Sequence, residues 1–143
     1  DYSSAASDVY KRQRFNKKLL NQIEKSKKIT GEYKPKLDLI IAASYGGKWD
    51  IINAVKKFYS DEKNHELSET SLESYLETNN FPNPDLIIRS GGEQRLSNFY
   101  LWQSSYSELY FSEKLWPDFN KKDFDIALED FSKRKRKFGI ETG

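Results

Sequence analysis

Apolar residues along this chain recur in two rhythms. From Phe15 the positions Phe15, Leu19, Leu20 and Ile23 return at helical spacing, and Gly31 follows as a terminator, which predicts a first helix. "LDLIIAAS", Leu37 to Ser44, is instead a short continuous apolar run bounded by Pro35 and by Gly46-Gly47. Such a run predicts a parallel strand buried on both faces. Trp49, Ile52, Val55 and Phe58 then mark an amphipathic helix starting just after the glycines. The same succession returns later: "DLIIR", Asp85 to Arg89, predicts a second buried strand, Gly91-Gly92 a turn, and Ser97 to Ser105 a helix. Between the two repeats, Thr70 with Glu73 three positions on reads as a capping box. It opens a small helix that carries Leu72, Tyr75 and Leu76 and ends near Asn79. Ser107 to Phe111 predicts a third strand, and "KLWPDF" leaves it as a loop with Pro117 as breaker. Asn120 with Asp123 opens a last helix, whose face is Phe124, Ala127, Leu128 and Phe131 and whose final turns run into the basic tail Lys133 to Lys137.

Strands alternating with helices imply an α/β fold, a parallel sheet with flanking helices whose ligands bind beyond the carboxyl ends of the strands. Both Gly-Gly turns fall at that edge. Three strands are fewer than a doubly wound domain usually needs, which agrees with a chain cut at its start. The 143 residues suffice for one core. "DYSSAASDVYKRQ" has neither the apolar stretch of a signal peptide nor a helical or strand period. We read residues 1–13 as a non-native or disordered leader and 14–143 as the functional portion. The lack of cysteine excludes a disulfide framework and thiolate metal sites and favours a cytoplasmic setting. The single histidine, His65, lies in the polar stretch "SDEKNHELSE" and reads as exposed loop, leaving almost no material for histidine catalysis. Twenty-four Lys and Arg against twenty-two Asp and Glu are too balanced to make nucleic acid the main partner.

Chemistry concentrates in "DLIIRSGGEQRLSNFYLW", Asp85 to Trp102. At the end of a buried strand Arg89 would enter the crevice, the glycines would let the backbone turn sharply, and Ser97 would cap the following helix. Free N–H groups at that helix start, with Arg89 and Arg95 gripping oxygens in a bidentate way, describe an anion site suited to phosphate or diphosphate. Spacing supports equally a structural turn in which Arg89 pairs with Glu93 and Arg95 lies on the surface. The Walker spacing and the G-x-G-x-x-G fingerprint are both absent, so ATP and NAD lose most of their support. Glu108, the one ionised group in "YSELYF", either holds Mg²⁺ on a phosphate or faces solvent from an edge strand. "SYGGKW", Ser44 to Trp49, either offers Ser44 or backbone amides to substrate or lets strand and helix pack closely. The tail complements the helix dipole, with surplus charge free for anionic substrate or lipid.

"DLIIRSGGEQRLSNFYLWQSSYSELYFSEKLWPDF" closely resembles the C-terminal signature of the cis-prenyltransferases, of which undecaprenyl diphosphate synthase is the bacterial type, and "YGGKWDII" resembles that family's other central motif. The resemblance runs from Phe15 to Gly139. It implies the C-terminal portion of a parallel-sheet cis-prenyltransferase fold. The implied enzyme is Mg²⁺-dependent and extends an allylic diphosphate, commonly farnesyl diphosphate, by cis additions of isopentenyl diphosphate, giving a polyprenyl diphosphate for cell-wall assembly. By position, Arg89, Arg95 and Ser97 match the residues that bind the diphosphate of isopentenyl diphosphate, and Glu108 matches the acid that helps to hold Mg²⁺. The resemblance also implies a homodimer at the cytoplasmic membrane surface, in peripheral contact with lipid.

Departures from the pattern matter. The family's opening D-G-N-x-R-W loop, with its catalytic aspartate, is absent from these residues, so no catalytic residue is identified and the fragment alone is expected to be inactive and prone to association. Ser44 and Lys48 stand where the family often has asparagine and arginine. Lys137 stands where an arginine completes a neighbouring subunit's site, and lysine lacks the bidentate fork. Two other readings are a non-catalytic partner subunit, which the retention of Arg89, Arg95, Ser97 and Glu108 opposes, and a basic nucleic-acid-binding module resting on the tail.

Overall fold

The computed structural model describes residues 4–7, 15–32, 37–62 and 66–136. In chain order the elements are β1 (Ser4–Ser7), α1 (Lys17–Gly31), β2 (Leu37–Ile40), α2 (Gly47–Ser60), α3 (Glu69–Glu73), β3 (Leu86–Ser90), β4 (Glu108–Ser112), a 3₁₀ turn at Trp116–Asp118 and α4 (Lys121–Ser132). The α/β class and the parallel pairing are as expected. Among the described residues the strands form two separate parallel ladders, β1 with β2 and β3 with β4. The second has Leu86 opposite Glu108 and Arg89 opposite Phe111. Ser4–Ser7, within the stretch where the sequence shows no period, are the partners of Leu37–Ile40. Strand pairing is a backbone property and needs no apolar alternation.

Local signals place most boundaries. Asn16 caps α1, its Oδ1 accepting from the Leu19 N–H at 2.9 Å. Asn120 and Asp123 form the expected reciprocal capping box of α4. The small helix starts two residues earlier than read: the capping box is Ser68 with Ser71, because a serine hydroxyl at the third position returns the bond expected of Glu73.

Burial departs from expectation in three places. The Leu37 to Ser44 run is not covered on both faces. Leu37, Leu39 and Ile41 are about half exposed, since β2 packs on β1 and α1 leans against β1. β3 is half-buried along its length rather than fully enclosed. On α2 the buried stripe is Gly47, Asp50, Ala54 and Phe58, with Ile52 turned outward. The core therefore lies away from the sheets, where Ala54, Leu72 and Leu76 meet, walled by Ile51, Val55, Tyr75 and Trp102.

A fourth difference is conformational. The predicted Ser97 to Ser105 helix is a series of turns. Ser97, Asn98 and Tyr100 have positive φ, 48°, 65° and 46°, a region costing L-residues about 1–2 kcal/mol each and incompatible with a right-handed helix. Ser97 therefore caps no helix. The basic tail also leaves the helix earlier than expected, since α4 ends at Ser132. His65 and Lys137 lie outside the described residues.

Candidate diphosphate site

Beyond the carboxyl end of β3 a cavity of about 320 Å³ is lined by Ile87, Ile88, Arg89, Ser90, Arg95, Leu96, Ser97 and Phe99. It gathers the three residues that the sequence singled out as anion ligands and sets an apolar wall beside them. Arg89 is the organiser. Its guanidinium donates to the Ser97 Oγ at 2.8 Å and to the Arg95 carbonyl, folding the loop back over the strand end. Arg95 pairs with Glu93 at 2.5 Å on the surface, both side chains being at least half exposed. The structural turn read from spacing thus occurs with different partners: Arg95, not Arg89, takes Glu93. An exposed ion pair contributes about 0–1 kcal/mol, so a ligand of higher charge can draw Arg95 away at small cost.

Main-chain amides do less here than expected. The Gly91 and Gly92 N–H groups donate to the carbonyls of Lys114 and Ser112 at 2.7 and 2.9 Å, locking the turn, at φ 97° and 76°, to the end of β4 and the segment just after it. In the other Gly-Gly turn the Gly47 N–H donates to the Asn98 carbonyl at 2.6 Å, and the Lys48 N–H to the Asn98 Oδ1 at 2.9 Å. These four donors are engaged within the protein, so "SYGGKW" serves close packing. A Cβ on Gly47 would lie 2.7 Å from the Leu101 Cγ and 3.0 Å from the Leu101 backbone N. The Gly46-Gly47 turn is thereby joined to residues 98–101, in the loop that follows Gly91-Gly92, and side chains are left as the candidate anion donors.

Under this junction lies a polar cluster that hydrophobic patterning had missed. Asp50 is 1% exposed, Gln103 3% and Thr78 6%. One Asp50 oxygen accepts from the Glu77 N–H at 3.0 Å, and the other from the Tyr45 hydroxyl at 2.8 Å and the Gln103 Nε2 at 3.0 Å. Gln103 Nε2 also donates to the Thr78 hydroxyl at 2.9 Å. Burial, and after it the bond to Asp50, push the Tyr45 phenol far above its ordinary range, and burial with the Asp50 charge raises Tyr100. The available signal was the four-residue spacing of Asp50, Ala54 and Phe58, which puts a carboxylate on an apolar stripe.

Glu108 is not brought to this cavity. The register sets it opposite Leu86, three residues back from Arg89, or about 10 Å along the strand. Its carboxylate accepts from Arg134 at 2.9 Å, and Arg134 also holds Asp130 and the Leu109 carbonyl. The bonds to Glu108 and Asp130 hold the Arg134 guanidinium above its already high range. Arg136 pairs with Asp85. The tail arginines thus clasp the starts of β3 and β4, and the surplus charge expected for lipid or nucleic acid is spent at these two positions. Among the described residues no three His, Cys, Asp or Glu side chains converge. A lone carboxylate held by a guanidinium does not fit Mg²⁺ as a protein-held centre.

The family model described as "Putative undecaprenyl diphosphate synthase" matches residues 7–139. The chain belongs to the undecaprenyl diphosphate synthase family. Its relatives in this family include a ditrans,polycis-undecaprenyl-diphosphate synthase of Coxiella burnetii, 47% identical over 131 residues, covering 88% of this chain and 55% of that protein. An isoprenyl transferase of Thermotoga maritima is 50% identical over 125 residues, covering 85% and 53%. The chain therefore spans about half the length of the curated relatives it matches. Among solved structures, lavandulyl diphosphate synthase of Lavandula x intermedia, crystallised with dimethylallyl diphosphate, superimposes with a TM-score of 0.85 at 36% identity, covering 96% of this chain and 60% of that one. A "probable undecaprenyl diphosphate synthase" of Campylobacter jejuni gives 0.81 at 34%, covering 96% and 64%. Fold class and family thus agree with the resemblance read from the signature.

Proposed function

We propose that this chain is the C-terminal portion of a cis-prenyltransferase and that its cavity binds the diphosphate of isopentenyl diphosphate. The observation that carries the reading is the convergence of Arg89, Arg95 and Ser97 on one cavity whose remaining wall is Ile87, Ile88, Leu96 and Phe99. A short alkenyl diphosphate has the same division, with a strongly charged end and a small hydrocarbon. Two guanidiniums can each offer paired donors to phosphate oxygens, while the Ser97 hydroxyl, which accepts from Arg89, keeps its own hydrogen for a third. The apolar wall would hold the double bond in place and exclude water. In the longer protein, that double bond attacks the allylic carbon as its diphosphate leaves, and a proton is then lost. These residues contribute orientation of the nucleophile and fixed positive charge.

Farnesyl diphosphate is the allylic substrate we assign, with a polyprenyl diphosphate as product. We assign Mg²⁺ dependence and a homodimer at the cytoplasmic membrane face to the longer protein. Glu108 is the one carboxylate from this chain that the family pattern nominates for Mg²⁺. Its other partners would come from substrate and from groups outside the described residues. Among the described residues no helix is long and apolar enough to cross a membrane.

The test is incorporation of labelled isopentenyl diphosphate onto farnesyl diphosphate by the full-length gene product with Mg²⁺. Arg89→Ala removes a paired-donor contact to charged oxygens, which at about 3–4 kcal/mol lowers kcat/KM by about 10²–10³-fold. Full activity in that variant would refute the assignment of the site, and Glu108→Ala tests the metal role in the same way.

A further inference from the structure

Asn98 adjoins Ser97 in the chain yet is bonded to an element fifty residues away. Its φ of 65° and the 48° of Ser97 place two consecutive residues in the left-handed region, which persists only where the surroundings enforce it. The enforcing contacts are at the start of α2. That helix has Gly46 at its cap position and therefore no capping side chain of its own. Asn98 supplies the cap from outside, its carbonyl to the Gly47 N–H and its Oδ1 to the Lys48 N–H. Gly46 leaves room for this, since a Cβ there would stand 2.8 Å from the Asn98 Nδ2. The far end of the loop is tied to the same helix through Gln103 on the buried Asp50. Both ends of residues 98–103 are thus fixed to α2, and Ser97 leaves this clamp with its hydroxyl 2.8 Å from Arg89.

We infer that Asn98 is a positioning residue of the diphosphate site: by capping α2 from across the fold it sets the backbone of Ser97, and so brings the serine hydroxyl and the Arg89 guanidinium to bear on one phosphate group. This rests on the diphosphate reading above. If Asn98 acts through Ser97, its loss abolishes the advantage of the serine. If it merely stabilises the fold, the two effects are independent and multiply.

Pyrophosphate titrated calorimetrically into the full-length gene product separates these outcomes. Ser97→Ala is expected to weaken binding about tenfold, one charge-assisted hydrogen bond. Asn98→Gly keeps the positive φ and the carbonyl but lacks Oδ1. It is expected to weaken binding to the same degree, with Ser97→Ala adding less than about twofold in its background. Asn98→Asp restores the acceptor, and with it the full dependence on Ser97. Gly46→Ala, which displaces the Asn98 amide without altering Asn98, provides a second route to the same loss and does not require Asn98→Gly to fold well. Unchanged affinity in Asn98→Gly and Gly46→Ala, or effects that multiply with Ser97→Ala, would overturn the inference while leaving the site intact. Unchanged affinity in Arg89→Ala, or no binding by the unaltered full-length protein, would overturn the diphosphate reading itself and the inference with it.

Discussion

Replacing Gly47 by alanine tests the junction of α2 with residues 98–101 by a single methyl group. The added Cβ would sit 2.7 Å from the Leu101 Cγ and 3.0 Å from both the Leu101 Cβ and its backbone N. A flexible side-chain tip could swing aside, but a backbone nitrogen cannot move without carrying the loop with it. Overpacking of this kind costs about 1–3 kcal/mol. Displacing the loop also weakens the two bonds from the start of α2 to Asn98, each contributing about 1 kcal/mol. Against this, alanine at a helix start lowers the entropy of the unfolded chain and returns about 0.4–1 kcal/mol. The balance is a loss of about 2–3 kcal/mol, which for a chain of this size lowers Tm by about 6–10 °C. Gly31→Ala is the matched control. Nothing stands within 4 Å of its Cβ position at the end of α1, so only the entropic gain remains and Tm should rise by about 2–3 °C. Thermal melts of the two variants, followed by far-UV circular dichroism, are therefore expected to shift in opposite directions. If Gly47→Ala matched Gly31→Ala, the close approach of residues 98–101 to α2 would be wrong.

Two further predictions concern the buried cluster. Asp50→Ala would remove the buried acceptor of the Tyr45 hydroxyl, the Glu77 N–H and one of the two bonds of the Gln103 amide, which keeps Thr78, at about 1–3 kcal/mol for each bond lost. Urea unfolding should show a loss of about 3–5 kcal/mol, with Asp50→Asn milder because Gln103 can turn its Oε1, which has no hydrogen-bond partner, toward the new amide. A loss below about 1 kcal/mol for the alanine variant would remove the cluster from the account of stability. Stability at alkaline pH follows Tyr45, whose folded-state pKa lies above its ordinary 10.0 through burial first and the bond to Asp50 second. The fold favours the neutral phenol, so its contribution is complete below that ordinary value and is lost as pH rises beyond it. Denaturation midpoints of Tyr45→Phe should fall less steeply than those of the parent above pH 10, and identical slopes would contradict the assignment.

Much of this protein is written in short-range signals. Asn16, and Asn120 with Asp123, satisfy the first N–H groups of their own helices within three residues, so α1 and α4 could be placed from local sequence. "DLIIR" and "SELYF" read as strands because β-branched and aromatic runs between turn residues have few other solutions. Arg89, Arg95 and Ser97 could be nominated because the strand end and the glycines fix where the chain turns. Tertiary structure decided the rest, through bonds between segments far apart in the chain. Asn98 caps a helix that begins at Gly47, and Asp50 joins α2 to Glu77 and Gln103. No periodicity within Ser97 to Ser105 could reveal that these residues would give up a helix to make such bonds. Glu108 shows the same division. Its place in a strand was legible, but the parallel register sets it about 10 Å from Arg89 and gives its carboxylate to Arg134. Local propensity determined most of the elements that form, though not the turns over Ser97 to Ser105. Contacts across the fold determined which side chains share a cavity, because only they fix the distances between elements.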